Sequence, residues 1–219
     1  MRRTHSAAAG RTRTVTQRLV LATRNEHKVT ELRRILDEAG LGVALVGVDG
    51  LSGIPDVAET GTTFAENALL KARAVAEATE SPAVADDSGL CVDVLGGMPG
   101  IFSARWAGRH GDDAANLALV LAQLADIPDD LRDAQFVCAA AVAVPGGVEH
   151  VVEGSLAGRL IRESRGSGGF GYDPIFVPHG DTRTTAEMSA QEKDAISHRG
   201  RAFRALAEDL PAILEGNVG

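Results

Sequence analysis

The stretch AQFVCAAAVAVPGGVEHVVEGSLAGRL, residues 134–160, decides the fold of this chain. Two apolar runs lie on either side of Pro145-Gly146-Gly147, a pattern typical of two strands joined by a tight turn. We therefore expect an antiparallel hairpin. Because the rest of the chain mixes strand and helix patterns, the hairpin predicts an α/β fold with a mixed sheet rather than a purely parallel one.

The other elements follow from the spacing of apolar residues and from turn residues. A short apolar run at 19–23 predicts a first strand, and the segment 41–51 predicts a second. Between these strands we expect a helix from Val29 to Ala39 that is stopped by Gly40. A second helix is expected at 62–79, where Thr63 and Glu66 have capping-box spacing, followed by two strands around an acidic turn at 82–97. The rest of the chain predicts a helix at 112–124, a strand at 173–178, and a polar loop followed by a helix at 189–210.

The composition is that of a globular protein. The 219 residues, 44% hydrophobic and 24% charged, are enough to bury the core of one domain or one compact two-lobed unit. The net charge of -8 argues against a nucleic-acid partner, and no apolar run is long enough to span a membrane. Cys91 and Cys138 both lie in apolar runs, which predicts buried thiols in a reducing compartment and a cytoplasmic protein.

The amino terminus differs from the rest of the chain. Residues 1–18 carry five arginines and no acidic residue, without apolar periodicity. We expect a disordered basic extension there, and a single folded domain at 19–215.

The segment GSGGFGYDPIFVP, residues 166–178, has the G-x-G-x-x-G spacing of a dinucleotide-binding fingerprint. That fingerprint requires a strand before the glycines and a helix after them. The preceding IRESR is too polar for a buried strand, and Pro174 and Pro178 exclude the helix. The glycine segment is therefore either an ordinary surface loop or a platform on which Phe170 stacks against a flat base.

The segment TRNEHK, residues 23–28, follows the first strand. Thr23 and Asn25 can cap the next helix, and Lys28 lies one turn inside it. Exposed N–H groups at a helix start together with one ammonium form an anion site. Ordinary capping with a solvent-exposed lysine is the alternative.

Adjacent carboxylates occur in ADDSG, residues 85–89. Such a pair directly after an apolar strand is costly unless something neutralises it. It is either a turn with a capping role or a site for a divalent metal and an attacking water, because Mg²⁺ favours one or two carboxylates together with waters and phosphate oxygens. Glu59 and Glu66 are further candidate ligands.

Cations are concentrated in EKDAISHRGR, residues 192–201, which contains Lys193, His198, Arg199 and Arg201. A solvated basic face is one interpretation, and a set of cations for a polyphosphate–Mg²⁺ complex is the other. Combined with a phosphate site, an acidic pair and a stacking platform, the second interpretation predicts nucleoside triphosphate chemistry.

The chain closely resembles the Ham1/RdgB family of non-canonical purine nucleoside triphosphate pyrophosphatases. The matching segments are LATRNEHK, ETGTTFAENALLKA, ADDSGLCVDVLGGMPGIFSARWAG, GGFGYDPIF and EKDAISHRGRA, in family order over roughly residues 19–210. The resemblance implies a two-lobed, mixed-sheet ITPase-like (Maf/Ham1) fold with the active site in a central cleft. It also implies Mg²⁺-dependent hydrolysis of ITP, dITP and XTP to the nucleoside monophosphate and pyrophosphate, one or more Mg²⁺ ions per subunit, and a homodimer.

The resemblance also assigns roles to individual residues. Asp87 is implied as proton acceptor and metal ligand, with Glu59 as the second ligand; whether Asp87 acts as base, as ligand or as both stays open, and Asp86 is the substitute candidate for the base. The residues implied to bind substrate are Thr23, Arg24, Asn25, Glu26, His27, Lys28, Ser88, Phe170, Gly171, Tyr172, Asp173, Lys193, His198 and Arg199. Arg24 departs from the small residue common in the family at that position.

Two other functions remain open from the sequence. One is a house-cleaning pyrophosphatase for other modified nucleotides, and the other is a nucleotide sensor without catalysis. A glycosidase that uses Asp86 and Asp87 is disfavoured, because the chain has only one Trp and one Tyr.

Overall fold

The computed structural model describes residues 18–24, 26–41, 43–49 and 51–216. The expected basic extension therefore lies outside the described residues, apart from Arg18, which begins the first strand. The strands are β1 (Arg18–Leu21), β2 (Ala44–Gly47), β3 (Ala83–Val92), β4 (Asp133–Ala143), β5 (Glu149–Leu160) and β6 (Phe176–Pro178). The helices are α1 (Glu26–Glu38), α2 (Phe64–Thr79), α3 (Asp113–Gln123), α4 (Ala190–Ile196) and α5 (His198–Leu214). No helix in these ranges is long and apolar enough to cross a bilayer.

The six strands form one mixed sheet in the order β2-β1-β3-β4-β5-β6. β1 is parallel to β2 and β3, whereas β3, β4, β5 and β6 are antiparallel to their neighbours. The α/β class and the mixed sheet expected from the sequence are therefore confirmed.

The hairpin expected at 134–160 is also confirmed. β4 and β5 pair over eleven positions, from Asp133 opposite Arg159 to Ala143 opposite Glu149. The turn between them contains Gly146 and Gly147 at φ +97° and +125°. Only glycine adopts these values without strain, so the sequence at the turn fixes the register of the hairpin.

Buried side chains fall into three apolar clusters around the sheet. One lies under α1 and α5 and includes Leu32, Ile35 and Phe203. A second lies under α2 on the opposite face and includes Ala68 and Ala72. The third lies around the end of β3, the start of β4 and the end of β5. It includes Leu90, Val120, Phe136, Leu156 and Phe176. The acidic residues of β3 lie between the first two clusters and the third.

Three expectations about local structure differ from the structure. The segment 82–97 contains no acidic turn, because β3 runs without interruption through Asp86 and Asp87 and pairs with β4 at all ten positions. The segment before α5 is not a polar loop but the helix α4, which begins with a capping box between Ser189 and Glu192. The strand expected at 173–178 is shorter than predicted: residues 173–175 form a 3-10 turn, and only Phe176–Pro178 pair with β5.

Candidate active site

The two adjacent carboxylates of β3 point to opposite faces of the sheet. Successive side chains alternate along a strand, and the partners of the two acids reflect this. Asp86 contacts Lys28 of α1 and Arg199 of α5, whereas Asp87 contacts Asn67 and Lys71 of α2. The sequence expectation that both acids serve one turn is corrected by this alternation.

Asp86 is almost completely buried and is held by two cations. Both of its carboxylate oxygens accept from Nζ of Lys28, at 3.0 and 2.8 Å, and one also accepts from Nε of Arg199 at 3.2 Å. Burial opposes ionisation, but the charges of Lys28 and Arg199 hold the pKa of Asp86 well below its usual range. Asp86 is therefore held as an anion between two cations, an environment that makes a carboxylate a poor proton acceptor.

Asp87 lies in a different electrostatic environment. Its oxygens accept from Nζ of Lys71 at 3.1 Å and from the amide of Asn67 at 3.3 Å. Burial and the nearby charge of Glu59 raise its pKa, and the attraction of Lys71 only partly opposes them. A carboxylate with a raised pKa accepts a proton more readily, as a general base requires.

Glu59 completes this face of the site. One of its oxygens accepts from Nζ of Lys71 at 3.0 Å and the other from Arg105 at 3.0 Å. Burial works against the charged form, yet these two cations lower the pKa of Glu59. The ammonium of Lys71 thus lies between Glu59 and Asp87, and the same two carboxylates are the ones that could share a divalent cation.

The described residues do not offer a complete protein cage for a metal. No cluster of three or more His, Cys, Asp or Glu side chains with ligand geometry occurs among them. Glu66, a further candidate ligand from the sequence, uses its carboxylate to accept from N and Oγ1 of Thr62 at the surface. A metal held by Glu59 and Asp87 would need waters or phosphate oxygens as its other ligands, and Mg²⁺ is usually coordinated in this way.

On the other side of β3, a pocket lies against the glycine-rich segment. Phe170 is 46% exposed, and its ring faces Nζ of Lys193 at 5.0 Å and the guanidinium of Arg199 at 5.7 Å from the centroid. The buried carboxylate of Asp173 accepts from Nζ of Lys193 at 2.5 Å and from the backbone N–H of Phe170 at 2.8 Å. Asp173 therefore fixes both the aromatic platform and the lysine beside it. Other residues that line the pocket are Ser88, Leu90, Ser103, Asp113, Phe136, Gly171, Tyr172 and His198.

His198 forms part of the buried wall of this pocket. Its ring stacks on Phe136, with centroids 4.9 Å apart and planes at 16°. Nδ1 is buried and has no hydrogen-bond partner among the described residues. Burial and the charges of Arg199 and Lys193 lower the pKa of His198 well below its ordinary value, so the ring is neutral at physiological pH and has an unused polar nitrogen.

Replacing His198 with glutamine is expected to make the protein's stability less sensitive to acid. Below the ordinary pKa of about 6.5, the unfolded chain binds a proton at His198 that the folded protein does not bind. The free energy of unfolding of the wild type therefore falls as the pH drops from about 6.5 towards the lower folded pKa, by up to about 1.4 kcal/mol per pH unit. Urea unfolding of both proteins at about pH 7, 6 and 5 measures the difference; equal slopes would contradict a buried neutral His198.

Tyr172 and Gly171 help to build the pocket without presenting a stacking face. The side chain of Tyr172 is buried and its hydroxyl donates to the backbone oxygen of Ser103 at 2.8 Å. Burial raises the pKa of this phenol, so it stays a neutral donor. The backbone N–H of Gly171 donates to Asp113 at 2.9 Å, at a φ of +60° that suits glycine.

The expected phosphate loop is only partly described. Asn25 and the side chains of Glu26 and His27 lie outside the described residues. Lys28 points inward to Asp86 as given above. Arg24 forms an exposed ion pair with Asp56 at 2.5 Å, so in this structure its charge is directed to the loop before α2. Thr23 is half-buried directly after β1.

Sequence reasoning did not single out several residues that the fold brings into the site. Lys71, Asn67 and Arg105 hold the carboxylates on the α2 face, and Ser103, Asp113 and Phe136 line the pocket. A signal for Lys71 was available. The chain has three lysines, Lys28, Lys71 and Lys193, beside nineteen arginines, and each lysine contacts a site aspartate.

The chain is similar in sequence and fold to known proteins. The Ham1 family model matches residues 19–209. A dITP/XTP pyrophosphatase from Streptomyces coelicolor is 70% identical over 198 residues, which cover 90% of this chain and 98% of that protein. The crystal structure of a nucleoside-triphosphatase, dITP/XTP pyrophosphatase, from Mycobacterium abscessus has a TM-score of 0.74 and 54% identity, and covers 87% of this chain and 98% of its own. A HAM1 protein structure from Coxiella burnetii has a TM-score of 0.82 and 41% identity over 90% of this chain and 99% of its own. The chain belongs to the Ham1 family.

Proposed function

We propose that this protein hydrolyses non-canonical purine nucleoside triphosphates, such as dITP, ITP and XTP, to the nucleoside monophosphate and pyrophosphate. The observation that carries the proposal is the position of two sites along one strand. Asp87 lies with Glu59 and Lys71 in one site, and the next three residues of the strand, Ser88 to Leu90, line the pocket beside Phe170. Three residues of strand span about 10 Å, comparable to the length of a nucleoside between its base and its first phosphate. The names of the relatives from Streptomyces coelicolor and Mycobacterium abscessus support the same substrates.

The pocket suits a flat base with an acceptor at its edge. Phe170 offers a half-exposed ring for stacking, and Lys193, His198 and Arg199 place donors around it. Hypoxanthine and xanthine carry a 6-keto group that accepts from such donors, whereas adenine has a 6-amino donor at that position. An unpaired buried donor costs about 1–3 kcal/mol, so each mismatch disfavours adenine by roughly ten- to a hundredfold.

Hydrolysis would take place at the α-phosphate beside Asp87. Asp87 orients the attacking water and accepts its proton, a role that its raised pKa favours. Lys28 and Lys71 supply positive charge along the phosphates, and pyrophosphate leaves from the side opposite the water. The phosphates can reach both lysines because, among the described residues, β1 pairs with β3 only as far as Val84, so that no strand covers the edge of β3 beside Asp86 and Asp87. Mg²⁺ bound by Glu59 and Asp87 would neutralise the triphosphate and its leaving group. The donor set fits that ion, because two carboxylates already share one cation, the ammonium of Lys71.

We also propose that the protein works in the cytoplasm as a homodimer. Neither the half-buried Cys91 nor the buried Cys138 forms a disulfide among the described residues, which is consistent with a reducing compartment. Val94, Met98 and Phe102 are large apolar side chains that are about 40% exposed within nine residues of chain, and a second copy would bury them. Analytical ultracentrifugation at micromolar concentration tests the dimer.

A substrate panel tests the proposed activity. ITP, dITP, XTP, GTP, ATP and dUTP are each incubated with the full chain and Mg²⁺, and pyrophosphate and orthophosphate are measured separately. We expect pyrophosphate from ITP, dITP and XTP and little turnover of ATP. Orthophosphate as the first product would contradict cleavage between the α- and β-phosphates, preference for dUTP would favour a pyrophosphatase for other nucleotides, and binding without turnover would favour a sensor.

Replacing Phe170 with alanine is expected to raise KM for ITP about tenfold and to change kcat little. Stacking of a base on an aromatic ring is worth about 1–3 kcal/mol, and it acts equally on the bound substrate and the transition state. Because Phe170 is half-exposed, the folded protein should survive the change. Leu131→Ala, at another large exposed apolar residue (55%) outside the pocket, is the matched control. An unchanged KM for Phe170→Ala would contradict base stacking and would favour the alternative, in which the glycine segment is an ordinary surface loop.

A further inference from the structure

Asp86 contacts one side chain from each end of the candidate site. Lys28 belongs to the start of α1, where the phosphates are proposed to bind, and Arg199 belongs to the start of α5, beside the base pocket. They are 171 positions apart in the chain, yet both donate to the same carboxylate.

The three side chains are held in a well-packed, largely buried arrangement. The side chain of Asp86 is 1% exposed, that of Arg199 is 6% exposed and that of Lys28 is 18% exposed. Arg199 also donates from Nη2 to Oγ of Ser88 at 3.0 Å. Ser88 lies two positions after Asp86 and so on the same face of β3. The guanidinium is thus held at two points on a strand that is itself paired with β4 at every position.

A carboxylate in this position does more than balance charge. Any nearby anion would neutralise two cations. The carboxylate of Asp86 also fixes the orientation of both side chains, because both of its oxygens accept from Nζ of Lys28 and one accepts from Nε of Arg199. Charge-assisted hydrogen bonds of this kind are short and directional. Fixing both side chains before substrate arrives reduces the entropy that binding must overcome.

We infer that Asp86 is a positioning residue that couples the phosphate end of the nucleotide site to its base end by holding Lys28 and Arg199 on one carboxylate. The inference rests on the proposed function, since it takes the two ends to bind the two parts of one nucleotide. Asp86 touches neither the reacting phosphate nor a metal in this assignment. Its effect is therefore expected in binding at both ends.

The test measures binding of two probes, each of which reaches one end only. Pyrophosphate reports on the phosphate end and inosine on the base end, both by isothermal titration calorimetry with the full chain. Asp86→Asn, which keeps the size of the side chain, is expected to weaken both probes by about tenfold, because each end loses a charge-assisted hydrogen bond. Asp129→Asn is the matched control, since that exposed carboxylate accepts from Nε of Arg162 at 2.8 Å outside the pocket.

Each outcome decides between a positioning role and a structural one. If Asp86 only stabilises the fold, the melting temperature of Asp86→Asn falls while both probes bind the folded variant within twofold of wild type, and the inference is overturned. Loss of pyrophosphate binding alone would overturn the coupling. If Asp86→Asn does not fold, Asp86→Glu keeps the charge but moves the carboxylate, and the same two affinities decide. Wild-type protein that binds both probes but releases no pyrophosphate from ITP would contradict the proposed activity and not the role of Asp86.

Discussion

Replacing Asp87 with asparagine is expected to lower kcat for ITP by about a thousandfold while the protein stays folded. Asparagine has nearly the same shape, and its one amide oxygen can accept from Asn67 or from Lys71 but not from both; it cannot accept a proton from water. General-base catalysis is worth about 10²–10⁴ in rate. The measurement is pyrophosphate release at saturating ITP and Mg²⁺, with the melting temperature of each protein determined in parallel.

The stability of this variant separates catalysis from folding. Burial and Glu59 raise the pKa of Asp87, which means that the folded protein disfavours its ionised form at neutral pH. Removing that charge should therefore leave the melting temperature unchanged or higher, although the contact with Lys71 is weakened. Asp133→Asn, at an exposed carboxylate six positions along β4 from the partner of Asp87, is the control and should keep wild-type turnover. Full activity of Asp87→Asn would remove Asp87 from the catalytic role.

The fold could be predicted from the sequence wherever one local pattern decides the structure. The hairpin at 134–160 follows from two apolar runs and a Pro-Gly-Gly turn, and Gly40 ends α1 in a left-handed conformation at φ +68° as expected. The capping-box spacing of Thr63 and Glu66 also predicted the start of α2, where Oγ1 of Thr63 accepts from the backbone N–H of Glu66 at 3.1 Å. Each of these features depends on neighbours within one element.

The acidic segment shows why the rest could not be read in the same way. Asp86-Asp87 looked like a turn because two adjacent carboxylates in a buried strand are unfavourable on local grounds. In the structure both carboxylates are neutralised by cations from helices that pack on the sheet. Lys28 and Arg199 pair with Asp86 on one face, and Lys71 pairs with Asp87 on the other. Those partners lie 16 to 113 positions away, and no local pattern reports them. The error therefore marks the place where tertiary contacts replace local preference.

The two faces also change the meaning of the acid pair. From sequence, the two aspartates are equivalent, and either could be the base. The strand separates them, so that one has a lowered pKa between two cations and the other a raised pKa beside a second carboxylate. Adjacent carboxylates with opposite shifts in pKa have different roles. Asp86 can hold cations in place, and Asp87 can accept a proton.

Lys71 lies where a divalent ion shared by Glu59 and Asp87 would have to bind. Its Nζ is 3.0 Å from Glu59 and 3.1 Å from Asp87. Burial favours the neutral amine, but the three nearby carboxylates raise the pKa of Lys71, so the ammonium is charged at neutral pH. Glu59 and Asp87 would hold Mg²⁺ only if Lys71 gave up at least one of these two contacts, which would leave its charge available to the phosphates. Like charges that approach to a few ångströms repel strongly in a partly buried site.

Replacing Lys71 with methionine is consequently expected to have two opposite effects. The concentration of Mg²⁺ needed for half-maximal activity should fall several-fold, because the carboxylates lose a competing cation. The value of kcat should fall about a hundredfold, because the triphosphate loses a fixed positive charge where negative charge develops. Titration of activity with Mg²⁺ at saturating ITP measures both. Arg73→Met removes a cation two positions along α2 that pairs with Glu149 at the surface, and it should change neither value. A higher Mg²⁺ requirement in Lys71→Met would show instead that the ammonium supports the metal site and does not compete with the ion.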